Sequence, residues 1–244
     1  MNQKLTSEEW AEHYNPSLLE GMVESLRCGQ LSWQTQDMMK HTSIGESVLE
    51  IGSGSGATSL YMAMNGRKCT ALDYAEPCLE LAKRASLKLG CDLVTVFGDA
   101  TQELPFADNQ FDVVFQAGLL EHFQKEDRIN LLKQWGRVGR RMVSIIPNAS
   151  SIAYRVGKSR MEKNGTWSYG LELPQYSLHG EFLEAGFHVT SEYTIGEKHA
   201  LEFLPKYHPL RLVLSWLIKN NPCEDNCGQG YLLVTVGEKN EHSR

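Results

Sequence analysis

The stretch Val48-Leu49-Glu50-Ile51-Gly52-Ser53-Gly54-Ser55-Gly56-Ala57 decides the fold. Val48, Leu49 and Ile51 have the apolar, β-branched character of a buried strand, and Glu50 stands at its end. Three alternate glycines follow, and Ala57 to Leu60 read as the first turn of a helix. A strand, a tight turn and a helix N-terminus together make a pocket. Glycine lets the backbone turn sharply and lets a ligand approach the main chain with no Cβ in the way. A small charged metabolite carrying a ribose fits such a turn. By itself the turn has two readings. Gly52, Gly54 and Ala57 satisfy the dinucleotide fingerprint G-x-G-x-x-G/A, whereas Glu50, Gly52, Gly54 and Gly56 satisfy E-x-G-x-G-x-G.

Outward from this turn the chain alternates strands and helices. Upstream, Thr6-Ser7-Glu8-Glu9 has the form of a capping box opening a helix with Trp10 and Tyr14. Asn15-Pro16 caps a second helix with Leu18, Leu19, Met22, Val23 and Leu26 at helical spacing, and Trp33 to His41 is a third. Downstream come a helix from Thr58 to Asn65, a strand from Lys68 to Asp73 and a helix from Glu76-Pro77 to Leu89. A third strand, Leu93 to Phe97, ends in Gly98-Asp99-Ala100. Strand Phe111 to Gln116, a short connection Gly118 to Phe123, helix Lys125 to Val138 and strand Arg140 to Ile146 follow. This order predicts a doubly wound parallel sheet with helices on both faces.

Asn148 to Pro174 breaks the rhythm. It reads as a long polar loop with Tyr154, Arg155, Lys158, Arg160, Lys163, Trp167 and Tyr169, and a loop of that length is usually functional. Ser177 to Ala185 is a helix and Phe187 to Ile195 a strand. Glu197 to Cys227 is a second insertion, and Gly230 to Val236 is the last strand. With no right-handed crossover helix between the sixth and seventh strands, an antiparallel end is expected.

The chain has 244 residues, 41% of them hydrophobic, enough for one sizeable α/β domain with a full core. The formal net charge of -6 weighs against a nucleic-acid partner. Met1 to Glu12 lacks the apolar run of a secretory signal, and Leu212 to Ile218 is too short to span a bilayer. With no spanning run, no membrane partner is expected, and the six cysteines show no disulfide framework, which fits a reduced, cytoplasmic chain. The sequence leaves the oligomeric state open. Cys223-x-x-x-Cys227 lacks the four ligands of a structural zinc site, so no metal is expected.

A dehydrogenase needs a second mononucleotide half, and no second glycine-rich turn appears. The series Val48–Gly56, Asp73, Gly98-Asp99-Ala100, Leu104–Phe106 and Phe111-Asp112-Val113-Val114 resembles instead the class I S-adenosylmethionine (SAM) methyltransferases. The likeness points to the small-molecule group that includes quinone-biosynthesis methyltransferases. It is strong over residues 45 to 147 and looser beyond. It implies a Rossmann-like fold with seven strands, mostly parallel, and an antiparallel C-terminal strand. It also implies one domain over residues 1–244, with cap helices in 1–44 and substrate-side insertions at 148–176 and 197–228.

What the resemblance implies for the site follows residue by residue. Gly52, Gly54 and Gly56 pass under the methionine part of SAM, with Ser53 in the same turn. Glu50 stabilises that turn and faces the methionyl amine. Asp73 takes both ribose hydroxyls, since a carboxylate accepts two hydrogen bonds at once. Tyr74 lies against adenine or ribose. Asp99 accepts from the adenine amino group, flanked by Gly98 and Ala100. Gln116 ends the fourth strand beside the transferable methyl, and Tyr14 completes the cofactor set. Capping of the turns that follow them is the alternative role for Asp73 and Asp99. The sulfonium activates its own methyl group, so the protein mainly aligns the attack and excludes water. An acceptor that must lose a proton needs a base, and Glu121-His122 supplies the candidate. Gly118 stands where some quinone methyltransferases carry an acidic metal ligand. The expected function is methyl transfer from SAM to a small molecule, at oxygen or nitrogen, with S-adenosylhomocysteine as product. Alternatives are a nucleotide-binding oxidoreductase, a catalytically silent SAM-binding module, or an acceptor on RNA or protein.

Overall fold

The computed structural model describes residues 6–14, 16–221 and 227–239. Strands β1 (Ser47–Ile51), β2 (Lys68–Asp73), β3 (Leu93–Phe97), β4 (Phe111–Ala117), β5 (Gly139–Pro147), β6 (Phe187–Ile195) and β7 (Leu232–Lys239) form one sheet in the order β3-β2-β1-β4-β5-β7-β6. The first five are parallel to one another. β7 runs antiparallel to both β5 and β6, so β6 is parallel to the rest.

Alternation along the strands sorts the core onto two faces, as a pleated sheet requires. Leu49, Ile51, Val114, Met142 and Ile146 point to one face, where they pack with Leu132 and Trp135. Those two come from the long helix Lys125–Val138. Val48, Val113, Phe115, Val143 and Ile145 point to the other, against Met38 and Met62. Both faces are therefore covered, and the central strands read as nearly continuous apolar runs.

Ten α-helices complete the described residues. α1 (Ser7–His13), α2 (Leu19–Arg27) and α3 (Trp33–Met38) precede the sheet, followed by α4 (Ala57–Met64), α5 (Glu76–Leu89) and α6 (Lys125–Val138). The expected capping box is present: Glu9 N–H donates to Thr6 Oγ1 at 3.3 Å, and Thr6 N–H to Glu9 Oε2 at 2.7 Å. Asn15, expected to cap the second helix, lies outside the described residues. Pro16–Leu18 is a 3-10 turn and α2 begins at Leu19.

Two sequence readings need correction. The stretch 148–174 is not structureless, since α7 (Ile152–Lys163) occupies much of it. Its inward positions Ala153, Tyr154, Gly157 and Lys158 include a glycine and a lysine, which hides the apolar face from a periodicity reading. After α8 (His179–Glu184), the second insertion holds α9 (Glu197–Glu202) and α10 (Pro209–Lys219). Helices thus do separate the last two strands. The pair is antiparallel because the connection leaves and returns at the same edge, Ile195 being paired with Leu232. That edge also carries the C-terminal ends of β1, β2, β4 and β5, so both insertions emerge where the glycine turn lies.

Candidate cofactor site

The order of the sheet reverses at β1, flanked by β2 and β4, and ligands of open α/β sheets bind in the crevice beyond that point. Gly52, Gly54 and Gly56 have φ of 66°, 51° and 67°, the left-handed region that glycine enters without steric cost. The turn folds back on β2: Gly52 and Ser53 N–H both donate to the Leu72 carbonyl, at 2.9 and 3.1 Å. Gly54 N–H donates to Asp73 Oδ2 at 2.8 Å, and Ala75 N–H to Asp73 Oδ1 at 2.9 Å. Asp73 therefore clamps the glycine turn to the start of the next connection. Burial raises its pKa, against these backbone bonds that lower it.

Glu50 ties the same turn to α4. Its Oε2 accepts from Ser59 Oγ at 2.5 Å and from Ser59 N–H at 3.2 Å. Burial pushes this carboxyl up to about 7, with the nearby Asp73 charge adding and the Ser59 bonds opposing. Tyr14 lies over the turn: a Cβ on Gly54 would sit 2.7 Å from its ring carbon Cζ. Burial pushes the Tyr14 phenol up to about 12.

Beside the turn lies a cavity of about 220 Å³. Of the residues singled out in the sequence, Gly52, Asp73, Tyr74, Gly98, Asp99, Ala100 and His122 line it. Trp10, Leu72, Thr101, Leu119 and Phe123 complete the wall. Leu119 and Phe123 bracket Glu121-His122, and an apolar pair around a polar motif was the signal available for them. Asp99 Oδ1 accepts from Thr101 N–H and Oγ, both at 2.8 Å, which shapes the loop after β3. The fully buried Trp135 of α6 donates from Nε1 to the Ala100 carbonyl at 2.9 Å, fixing that loop from below.

Other sequence candidates hold the frame. Gln116 is fully buried and its amide is engaged: Nε2 donates to Ser144 Oγ at 2.6 Å, and Oε1 accepts from Leu119 and Leu120 N–H. It positions the loop carrying Leu119 and His122. Ser53 Oγ is buried with no hydrogen-bond partner among the described residues, as is Glu121 Oε2. The imidazole of His122 is oriented by the Leu171 carbonyl, which bonds Nδ1, rather than by its neighbour Glu121. A carbonyl only accepts, so Nδ1 carries a proton, and Nε2 is the nitrogen whose lone pair a neutral ring would offer. Trp10 meets the His122 ring edge-on at 5.6 Å, His13 stacks on Tyr169 at 5.4 Å, and Trp167 meets Tyr169 at 5.3 Å. Helix α1 and the segment 167–171 thus roof the His122 end.

Behind His122 is a buried acidic pair. Burial and the charge of Glu172 hold the Glu121 carboxyl well above the usual carboxylate range. Burial pushes Glu172 up to about 7, and its Oε1 accepts from the Tyr154 hydroxyl at 2.5 Å. Tyr154 packs with Phe203 and Tyr231. No group of three or more metal-ligating side chains occurs among the described residues, and Cys223 lies outside them. Of the larger open depressions on the surface, one beside α1 and the start of α5 shares Tyr74 with the candidate set, and three others contain none of the cofactor candidates.

A glycine-cradled cavity at the switch point, with one carboxylate ending β2 and another after β3, defines a nucleoside-cofactor-binding domain. The buried, unpartnered Ser53 hydroxyl fits a polar ligand lying along the turn. Residues 48–141 match the methyltransferase domain family. Over 88 residues the chain is 35% identical to demethylmenaquinone methyltransferase of Corynebacterium glutamicum, covering 32% of this chain and 35% of that protein. Over 96 residues it is 33% identical to the probable tRNA methyltransferase 9B of Mus musculus, covering 38% and 19% respectively. The chain thus spans about a fifth to a third of the length of these relatives. A SAM-dependent methyltransferase structure from Aquifex aeolicus shares the fold with a TM-score of 0.58 at 14% identity, over 96% of this chain and 98% of that one. Residues 48–141 thus form a methyltransferase domain, the chain shares the fold of a SAM-dependent methyltransferase, and SAM is the cofactor that these similarities support. The oxidoreductase reading of the glycine turn is thereby left without support.

Proposed function

We propose that the protein transfers the methyl group of SAM to a small-molecule acceptor, at oxygen or nitrogen. The observation that carries this reading is the single cavity running from Asp73 and Asp99 to His122. Asp73 receives the ribose hydroxyls, Asp99 and the Ala100 backbone meet the base, and the glycine turn with Ser53 and Glu50 holds the amino-acid end. SAM supplies a methyl group already activated by the sulfonium. Around it the chain orients the acceptor and keeps water out beneath Trp10 and Tyr169. His122, with its proton fixed on Nδ1, takes the acceptor proton at Nε2.

A small acceptor is supported by the roofed His122 end, lined by rings rather than by a cationic groove. The tRNA methyltransferase relative raises a nucleic-acid acceptor, against which the net charge of -6 weighs. The test has two stages. Calorimetry should give SAM and S-adenosylhomocysteine binding and no NADH binding. Source-cell metabolites incubated with the protein and methyl-labelled SAM should then yield a labelled small molecule by mass spectrometry. Label found only in RNA or protein would overturn the acceptor class. SAM binding without turnover over a broad acceptor panel would mark a silent binding module.

A further inference from the structure

Helix α10 carries its apolar side outward. It buries Leu214 in a small cluster with Ala153 of α7, Ala200 of α9 and Leu204. On its outer side, at positions i, i+1, i+4 and i+5, stand Leu212, Val213, Trp216 and Leu217. The first three are 59%, 61% and 67% exposed, and Tyr207 in the preceding loop is 82% exposed. A surface helix normally turns its polar stripe to water. Here the polar Arg211 is drawn in, donating to the Leu204 carbonyl at 2.8 Å. The outer stripe runs along a helix about 16 Å long. It exposes on the order of 500 Å², near the top of the range for the largest patch on a monomer.

The segment that bears the stripe is cationic. From Phe203 to Asn221 the chain holds Lys206, Arg211 and Lys219 and no carboxylate, in a protein of net charge -6. We propose that this face of α10 docks on an anionic lipid surface. Leu212, Val213 and Leu217 enter the headgroup–acyl boundary, Tyr207 and Trp216 sit at headgroup level, and Lys206 and Lys219 meet lipid phosphates. A second copy of the chain is the less fitting occupant. A two-fold contact would set the same cations against one another. The stripe is also smaller than the roughly 800 Å² per partner of a specific protein interface. A bilayer requires neither shape complementarity nor that area. No helix among the described residues is long and apolar enough to cross a membrane, so the contact is peripheral. The sequence expectation of no membrane partner rested on the lack of a spanning run, and one helix face escapes that criterion. The proposal does not depend on the acceptor.

The test uses the full chain with two vesicle types, phosphatidylcholine alone and equal parts of phosphatidylcholine and phosphatidylglycerol. Co-sedimentation is expected with the second only and should weaken as salt rises. Tryptophan emission should shift to the blue on the anionic vesicles, and Trp216→Phe should remove the shift. The double variant Leu212→Ser with Trp216→Ser should weaken vesicle affinity about tenfold or more. Lys206→Glu with Lys219→Glu should weaken it by at least roughly fivefold per cation removed. These lysines are exposed, so the charge variant decides the matter should the apolar variant fail to fold. Failure to sediment, equal sedimentation with both vesicle types, or binding that neither variant changes would overturn the proposal. So would a dimer seen by light scattering that the Ser variant dissociates while vesicles are ignored, which would assign the face to a second copy.

Discussion

Replacing Asp73 by Asn separates two roles that the same carboxylate holds. The side chain is 6% exposed and receives Gly54 N–H on one oxygen and Ala75 N–H on the other. Asparagine keeps the shape but turns one acceptor into a donor. Whichever way the amide lies, one of these N–H groups then faces another donor. Leaving a buried donor unpaired costs about 1–3 kcal/mol. For a chain of this size that lowers the melting temperature by roughly 2–4 °C per kcal/mol, so about 4–8 °C for a loss near 2 kcal/mol. SAM affinity should fall as well, because the ribose diol finds one acceptor oxygen where it had two. A bond to a charged group contributes about 1.5–3 kcal/mol, roughly ten- to hundredfold in affinity. Thermal melts by circular dichroism read the first effect. Titration calorimetry with SAM, well below the lowered melting point, reads the second. A lower melting temperature with undiminished SAM affinity would reduce Asp73 to a turn clamp. A melting temperature and a SAM affinity both equal to wild type would refute the reasoning altogether.

His122→Gln should bind SAM within about twofold of wild type. On an acceptor that must be deprotonated it should turn over about 10²–10⁴-fold more slowly, with part of the loss recovered at high pH. A near wild-type rate on such an acceptor would remove His122 from the mechanism. Burial holds Glu50 at about 7 in the folded chain, above its ordinary value of 4.5, so the fold binds that proton more tightly than the unfolded chain does. The stabilisation is full below the ordinary value and is lost as pH rises through about 7. Glu50→Gln should therefore gain on wild type by on the order of 3 kcal/mol between those limits, read as the difference between two urea-melt pH profiles. Parallel profiles would show that Glu50 is not the group responsible. Hydrogen exchange in Trp10–Tyr14 and in 148–174 should slow when cofactor and acceptor bind, as expected of a roof that closes over the reaction. Unchanged exchange in both would count against a lid.

The sequence alone determined the sheet through β5, the glycine turn and the methyltransferase resemblance of residues 48–141. Each of these is written in local chemistry: apolar runs of strand length, glycines where φ is positive, a carboxylate at the end of a strand. The antiparallel close of the sheet was legible too, though not its cause, since the helices of the second insertion carry irregular periodicity. Gln116 marks the limit of reading by position. Its place at the end of β4 puts it near the cavity, yet its amide is engaged by Ser144 and the Leu119–Leu120 backbone. The division of labour between neighbours was also beyond the sequence. Glu121 and His122 are adjacent in the chain, but Leu171, 49 residues on, orients the imidazole, while Glu121 faces Glu172 in the interior. Spacing says which residues arrive at a sheet edge together. Which atoms they meet there is set by packing between segments far apart in the chain, and only the tertiary structure decided it.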